Sequence, residues 1–297
     1  MKFRKIIALS ISALILSVMS GCVDQHPETQ ATVNITENTR LVATSPATAD
    51  ITDRLNLDLV GVCDTNLSTI PERYNDAVRV GLAMSPDSEI IASLNPDWVL
   101  SPASLKNDLQ PKYAAIGTKS IFLNLESVEG MYQSIDDLGQ IFGRQEQAQA
   151  MIDEYQKFIE EYNQKNADKT KPKVLVLMGF PGSYSVATEN SYTGSLVRLA
   201  GGINVYPDES ADYIIANTED IIQKDPDIIV CTAHGGLDEQ AYKHLKDDFA
   251  NNDTWKHFRA VEENKVYYLP SSLFSMSANF DYPEALEYLQ PILYGEE

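Results

Sequence analysis

The chain has 297 residues and carries 43 acidic against 23 basic side chains, a formal net charge of −20 at neutral pH. A surface this acidic argues against binding to nucleic acid and against electrostatic attachment to anionic lipid. The length and a hydrophobic content of 43% suit a globular chain of two domains, or one large domain with ample core.

The N-terminus has the pattern of an export signal, because a basic start and an apolar run over residues 6–19 precede Ser20-Gly21-Cys22. The run is too short for a membrane span, and a cysteine at the cleavage site resembles a bacterial lipobox. We predict a signal peptide over 1–21, a lipid anchor on Cys22 and a flexible tether over 22–39. The protein would then lie at the extracytoplasmic face of the cell membrane. An ordinary signal peptide is the alternative.

Short apolar runs alternate with amphipathic helical patterns from residue 40 onward. This alternation predicts an N-terminal α/β lobe over 40–126 and a C-terminal α/β lobe over 166–297. Between them, residues 127–165 have the longest helical pattern, which Gly139 and Gly143 are expected to break or kink. The predicted fold class is α/β, with two Rossmann-like lobes whose central sheets are of the parallel type, joined by one long backbone helix.

One element occurs twice. The segments E-I-I-A-S-L-N-P-D-W-V-L from Glu89 and E-D-I-I-Q-K-D-P-D-I-I-V from Glu219 place a Pro-Asp pair at the same distance after a Glu. A short helix, a Pro-Asp turn and an apolar run are typical of a helix-to-strand connection in a parallel sheet. A lone helical Glu is usually a solvated side chain, but two at matched positions suit a two-point contact with arginines of a membrane partner.

The two copies are flanked by two candidate metal ligands. Met84 comes five residues before the first Glu, and Ser85-Pro86 is predicted to cap and begin the next helix. His234 follows the apolar run 228–231 and precedes two glycines, at the strand end where open α/β sheets bind ligands. A buried methionine and a loop histidine without a partner are the plainer alternatives. A thioether and an imidazole from opposing lobes suit haem iron, whereas zinc requires more ligands at close spacing.

Other polar residues are weighed as haem contacts or as catalytic groups. Thr44 and Ser45 follow the first strand and precede a helix, so they offer backbone N–H groups to the haem propionates. Tyr184 is a further candidate contact in the haem pocket. A hydrolase would use Ser183 with His234 as its base, but Pro-Gly-Ser-Tyr-Ser lacks the G-x-S-x-G pattern. We therefore predict no enzymatic activity.

The two cysteines beyond Cys22 are predicted to end strands in different lobes. A disulfide between Cys63 and Cys231 would clamp the lobes together, so partly buried free thiols are favoured. Cys231 lies three residues from His234, which leaves thiolate ligation or redox sensitivity open as an alternative.

Several long blocks resemble a known family. Leu138 to Ala148, L-G-Q-I-F-G-R-Q-E-Q-A, is similar to the connector of the two-lobed substrate-binding lipoproteins of ABC transporters, which capture siderophores, cobalamin or haem. Residues 181–205 and 252–267 resemble the haem-binding members that serve Isd-type haem importers. The resemblance extends from about residue 40 to about residue 290.

The resemblance implies roles for matching residues. In these haem receptors a methionine of the N-terminal lobe and a histidine of the C-terminal lobe hold the iron, which G-L-A-M-S-P and A-H-G-G match as Met84 and His234. One Glu per lobe docks on the permease, matched by Glu89 and Glu219. It implies a monomer that takes haem b (iron protoporphyrin IX) from cell-surface carriers to an ABC permease and its ATPase. A siderophore or cobalamin receptor of the same fold is the alternative.

Overall fold

A computed structural model describes residues 39–66, 68–207 and 209–295. These residues belong to one compact unit, Ile35–Glu297. The predicted signal peptide, Cys22 and the tether up to residue 38 lie outside the described residues. Inside them, no helix has both the length and the apolar character needed to cross a membrane.

The N-terminal lobe is built on a six-stranded sheet in the order β4-β3-β2-β1-β5-β6. Its pairings are parallel except for the β3–β4 hairpin. The strands are β1 (Leu41–Ala43), β2 (Leu59–Asp64), β3 (Val78–Leu82), β4 (Ser85–Pro86), β5 (Trp98–Pro102) and β6 (Lys119–Leu123). The helices of this lobe are α1 (Pro46–Arg54), α2 (Ser88–Ser93) and α3 (Lys106–Ala115).

The connection that we predicted as one long helix consists of two, α4 (Val128–Phe142) and α5 (Gln145–Asn166). Gly143 ends α4 because it adopts the left-handed conformation, with φ 65°. Gly139, in contrast, stays inside α4 and is buried. A Cβ at that position would lie 2.6 Å from the Cβ of Ala148, so the glycine allows α4 and α5 to pack closely. The two glycines thus have different structural roles.

The C-terminal lobe has a second sheet in the order β10-β8-β7-β11-β12, with β9 beside β7. The pairings β7–β9, β7–β11 and β11–β12 are parallel, whereas β7–β8 and β8–β10 are antiparallel. Both sheets are therefore mixed, with a parallel centre. The strands are β7 (Lys173–Phe180), β8 (Ser183–Ala187), β9 (Ile203–Asn204), β10 (Tyr213–Ile214), β11 (Ile228–Ala233) and β12 (Val266–Tyr268). The helices are α6 (Tyr192–Leu199), α7 (Thr218–Lys224), α8 (Asp238–Asn251), α9 (Arg259–Glu262) and α10 (Tyr282–Tyr294).

The duplicated segments adopt the same local structure. In both copies the residue before Pro-Asp has a positive φ, 44° in the first and 45° in the second. The carboxylate of Asp97 then accepts the backbone N–H of Arg40 at 2.8 Å, and that of Asp227 accepts the N–H of Lys173 at 2.7 Å. Each Pro-Asp pair therefore fixes the start of the first strand of its own lobe.

One apolar core continues through both lobes, and we call it the interlobe core. It includes side chains of β1, β5 and β6, of β7 and β11, and of α4, α6 and α10. Polar contacts cross the same junction: Arg198 Nη2 lies 2.6 Å from the Glu129 carboxylate, and the Arg54 guanidinium lies 3.9 Å from the centre of the Phe280 ring. Packing along this junction couples the lobes, which argues against a freely flexible hinge.

Candidate functional site

Met84 lies in the tight turn of the β3–β4 hairpin, just past the end of β3. Its side chain is 69% exposed, although a methionine is usually buried. A buried packing role therefore does not fit, and the thioether is free to contact a ligand. The turn belongs to the edge of the sheet at which the parallel strands end, which we call the carboxyl edge.

The helix that follows Met84 begins later than predicted. Ser85 and Pro86 form β4, so the predicted helix cap at Ser85 is wrong. Asp87 is the N-cap, and its carboxylate accepts the backbone N–H groups of Glu89 and Ile90 at 2.9 and 3.0 Å. An Asp caps a helix as well as a Ser, and the hairpin uses the backbone of Ser85 and Pro86 instead.

His234 directly follows β11, at the carboxyl edge of the second sheet, and its side chain is half-buried. Its backbone N–H donates to Gly179 O at 3.2 Å, and its imidazole lies 5.5 Å from the Phe180 ring between centroids, with 32° between the planes. Gly235 and Gly236 then turn the chain away with φ of 51° and 74°. Strand β11 therefore places His234 at the carboxyl edge, and the chain turns away directly after it.

Cys231 is a poor alternative ligand because β11 alternates between two cores. Ile228 and Val230 enter the interlobe core, whereas Ile229 and Cys231 enter a separate core that includes Leu245 of α8. Burial strongly raises the pKa of the Cys231 thiol, which disfavours the thiolate. Cys231 and Cys63 are both unpaired and fully buried, so the prediction of free thiols is confirmed and that of partial burial is wrong.

Thr44 and Ser45 lie at the carboxyl edge of the first sheet, and both are buried. The amide of Thr44 donates to Leu100 O at 3.0 Å, and its hydroxyl lies 2.7 Å from Ser101 Oγ. Ser45 is the N-cap of α1, with Oγ accepting the Thr48 N–H at 3.2 Å. Both hydroxyls are thus engaged within the lobe, so any anion here would be held by the remaining amides and the N-terminus of α1.

Tyr184 and Ser183 lie on β8, where Ser183 pairs with Phe180 of β7. The Tyr184 ring packs edge-on to Trp255 at 5.9 Å, and burial, with a smaller contribution from Asp248, raises its pKa. Ser183 is exposed at the start of β8, in a hairpin rather than a strand-to-helix turn. Among the described residues no hydrogen bond joins Ser183 to His234, so the arrangement gives no support to a serine hydrolase.

Glu89 and Glu219 occupy equivalent positions, each as the second residue of its helix. Both side chains are exposed. The helix of a parallel crossover runs back along the sheet, so its N-terminus lies near the carboxyl edge that the preceding strand has reached. Glu219, in the helix between the parallel strands β10 and β11, therefore lies towards the same edge as His234. Glu89 follows the β3–β4 hairpin that carries Met84, and the N-cap of its helix, Asp87, donates its backbone N–H back to Val80 O of β3.

The donor set suits a metal complex better than a bare ion. Across residues 39–66, 68–207 and 209–295, no group of three or more His, Cys, Asp or Glu side chains is placed to hold a metal. A metal that brings an equatorial macrocycle needs only one axial ligand from each side. Met84 carries an exposed thioether in the first lobe, and His234 carries a half-buried imidazole in the second.

The described part of the chain matches a family model for periplasmic binding proteins over residues 41–273. The chain belongs to the periplasmic binding protein family. It is 37% identical over 290 residues to "High-affinity heme uptake system protein IsdE" of Staphylococcus aureus, which covers 97% of this chain and 98% of that protein. The two lobes are those of the two-lobed fold in this family.

Two solved structures of the family superpose closely on this chain. An ABC transporter substrate-binding protein from Listeria monocytogenes EGD-e is 41% identical with a TM-score of 0.82, covering 87% of this chain and 99% of that one. S. aureus IsdE complexed with heme is 39% identical with a TM-score of 0.79, covering 86% and 99%. At 41% and 39% sequence identity, these two proteins resemble this chain in sequence as well as in fold.

Sequence reasoning missed Phe180, the residue in ring contact with His234. Phe180 ends β7, which pairs with β11, and both residues come one position after the register pair Gly179–Ala233. An aromatic residue that ends the first strand of the second lobe, before Pro-Gly, was the available signal. This aromatic residue points to His234 only once β7 and β11 are known to be neighbouring strands.

Proposed function

We propose that the protein is the haem receptor of an ABC-type haem importer, with haem as its cargo rather than a resident cofactor. One observation carries the proposal: an exposed thioether, Met84, and a half-exposed imidazole, His234, each end a strand region at the carboxyl edge of a different lobe. The likeness to a heme uptake protein and to a heme complex supports the same cargo.

Met84 and His234 would bind the iron on its two faces. Sulfur is a soft donor and imidazole an intermediate one, and this axial pair raises the reduction potential of haem iron. The exposure of Met84 means that its side chain need not leave a packed core to reach the iron. The Thr44-Ser45 segment would place the N-terminus of α1 towards a propionate, where the helix dipole favours an anion.

Glu89 and Glu219 would dock the loaded receptor on its permease. Both are exposed and lie in the first turn of a capped helix, so their carboxylates are held at defined positions. Paired with arginines of a partner, such rim charges set register and association rate more than affinity. The acidic total charge of the chain favours a basic docking surface.

The remaining assignments complete the receptor. Cys22 would carry the lipid that holds a monomeric protein at the extracytoplasmic face of the membrane, with residues 22–39 as tether. Cell-surface haem carriers would supply the cargo, and the permease with its ATPase would accept it. The protein itself would perform no catalysis, because binding and release involve no covalent change in haem.

Absorption spectra of the haem-loaded protein test the iron ligands. Met84→Ala and His234→Ala should each shift the Soret band and speed haem loss, because each removes one axial donor. Met276→Ala and His257→Ala are matched controls, since both residues are exposed and neither is proposed as a ligand. Unchanged spectra and affinity in both ligand variants would refute the ligation, and saturable binding of a siderophore or cobalamin without haem binding would refute the cargo.

Uptake assays in cells test the docking residues separately from cargo binding. The double variant Glu89→Lys with Glu219→Lys should bind haem normally and fail to support uptake. The double variant Glu146→Lys with Glu284→Lys, at exposed Glu residues in the first turns of α5 and α10, is the charge-matched control and should leave uptake intact. Uptake by the double variant at the wild-type rate would eliminate these two residues as the docking contact.

A further inference from the structure

Among the described residues, the imidazole of His234 has no protein hydrogen-bond partner of the kind that often orients a metal-binding histidine. Such a histidine normally donates its second ring N–H to a carboxylate, a carbonyl or water, which fixes its orientation. Within the described ranges, the His234 side chain makes no hydrogen bond and no ion pair to protein, and its ring contact is with Phe180. Something other than a protein hydrogen bond must therefore orient this ring.

The backbone after His234 offers little restraint. Gly235 and Gly236 both have positive φ, so the turn beyond the histidine consists of residues with the widest conformational freedom. The backbone of His234 itself is held on the other side, where its N–H donates to Gly179 O. The histidine is anchored at its strand end, and its side-chain orientation is left to neighbouring side chains.

Phe180 is placed against the imidazole by strand register. Gly179 pairs with Ala233, so the next residues of the two parallel strands, Phe180 and His234, are neighbours at the carboxyl edge. Helix α8 presses on β7 at this point, because a Cβ on Gly179 would lie 2.9 Å from Leu245 Cδ1. The backbone before Phe180 is thus held against α8, and the Phe180 ring lies 5.5 Å from the imidazole between centroids, with 32° between the planes.

We infer that Phe180 is the positioning residue of His234: its ring sets the plane of the imidazole in place of a hydrogen bond. This inference rests on the proposed role of His234 as an iron ligand. The plane of an axial imidazole decides how its orbitals overlap with the iron. Loss of the ring would leave the histidine able to bind the iron but free to rotate about the bond.

The loaded full-length chain gives the first test, through electron paramagnetic resonance of the ferric low-spin haem. Phe180→Leu and Phe180→Met should change the g-value pattern, which reports the plane of the imidazole, and should speed haem loss by roughly tenfold, as for other residues that orient a ligand. Phe180→Tyr keeps the ring and should restore the wild-type pattern. Phe122→Leu, which removes another half-buried strand aromatic that stacks on Tyr113, should change neither.

The haem-free protein gives a second test that does not depend on ligation. The His234 ring protons, identified among the four histidines by their loss in His234→Ala, should change chemical shift in Phe180→Leu as the ring current disappears. An unchanged shift, or wild-type g-values in both Phe180→Leu and Phe180→Met, would overturn the inference. If His234→Ala itself leaves the haem spectrum unaltered, the proposed ligation fails instead, and the two failures are distinct.

Discussion

The contact between Gly139 and Ala148 predicts an inverted effect of a common stabilising substitution. In an unobstructed helix, Gly→Ala stabilises by about 1 kcal/mol. Here the new Cβ would lie 2.6 Å from the Cβ of Ala148, roughly 1 Å short of the optimal carbon–carbon separation. Overpacking of this kind costs about 1–3 kcal/mol. Gly139→Ala should therefore leave the free energy of unfolding unchanged or lower it by up to about 2 kcal/mol.

A double-mutant cycle measured by urea unfolding isolates the contact. Ala148→Gly alone should cost about 1 kcal/mol through helix propensity. The double variant moves the methyl group from α5 to α4 and should lie within about 1 kcal/mol of the wild type, so the two substitutions are coupled. Rescue is incomplete because Arg144 O also lies 3.3 Å from the new Cβ. A gain of about 1 kcal/mol from Gly139→Ala alone would show that α4 and α5 are not packed as described.

Three further predictions concern charge, the repeat and a tight turn. Burial, with added repulsion from Asp212, raises the pKa of Glu126 above its ordinary 4.5. The folded state thus holds this proton more tightly than the unfolded state, so the free energy of unfolding falls as pH rises above that value. Glu126→Gln should therefore raise the melting temperature at pH 7 but not at pH 4. Asp97→Ala, which leaves the exposed Arg40 N–H without its protein acceptor, should cost about 0.5–1.5 kcal/mol of unfolding free energy by chemical denaturation, whereas an unaltered midpoint would contradict the strand-start role. Gly194→Ala would place a Cβ 1.9 Å from a backbone carbonyl oxygen, so the yield of soluble protein should drop sharply. A normal yield and a wild-type melting temperature would show that the backbone around Gly194 can shift to make room for the methyl group.

Local sequence was enough to predict the duplicated element, because each part of it is decided by neighbours in the chain. Pro-Asp disfavours helix at the residue before it, and an apolar run of strand length follows. The carboxyl-edge positions of His234 and of Thr44-Ser45 follow from the same reading, since a strand end in a parallel sheet is defined by the strand itself.

Features that depend on tertiary contact were missed or misplaced. β3, the strand that leads to Met84, was not predicted, because it alternates weakly and exposes Val78. Ser85 and Asp87 are both good helix caps, and only hairpin pairing decides between them. Gly139 and Gly143 look alike in a helical pattern, yet one allows helix packing and the other ends a helix.

Glu219 lies towards the same strand edge as His234, and Glu89 follows the hairpin that carries Met84, so the proposed docking residues and the proposed iron ligands are neighbours within each lobe. Cargo would enter and leave through one opening, and a permease gripping Glu89 and Glu219 would cover it. In the proposed receptor a carrier that loads haem would approach the same opening, so the loading and unloading partners would exclude one another. The receptor would then bind the carrier and the permease one after the other. An excess of empty carrier would slow haem delivery by competing with the permease for the receptor.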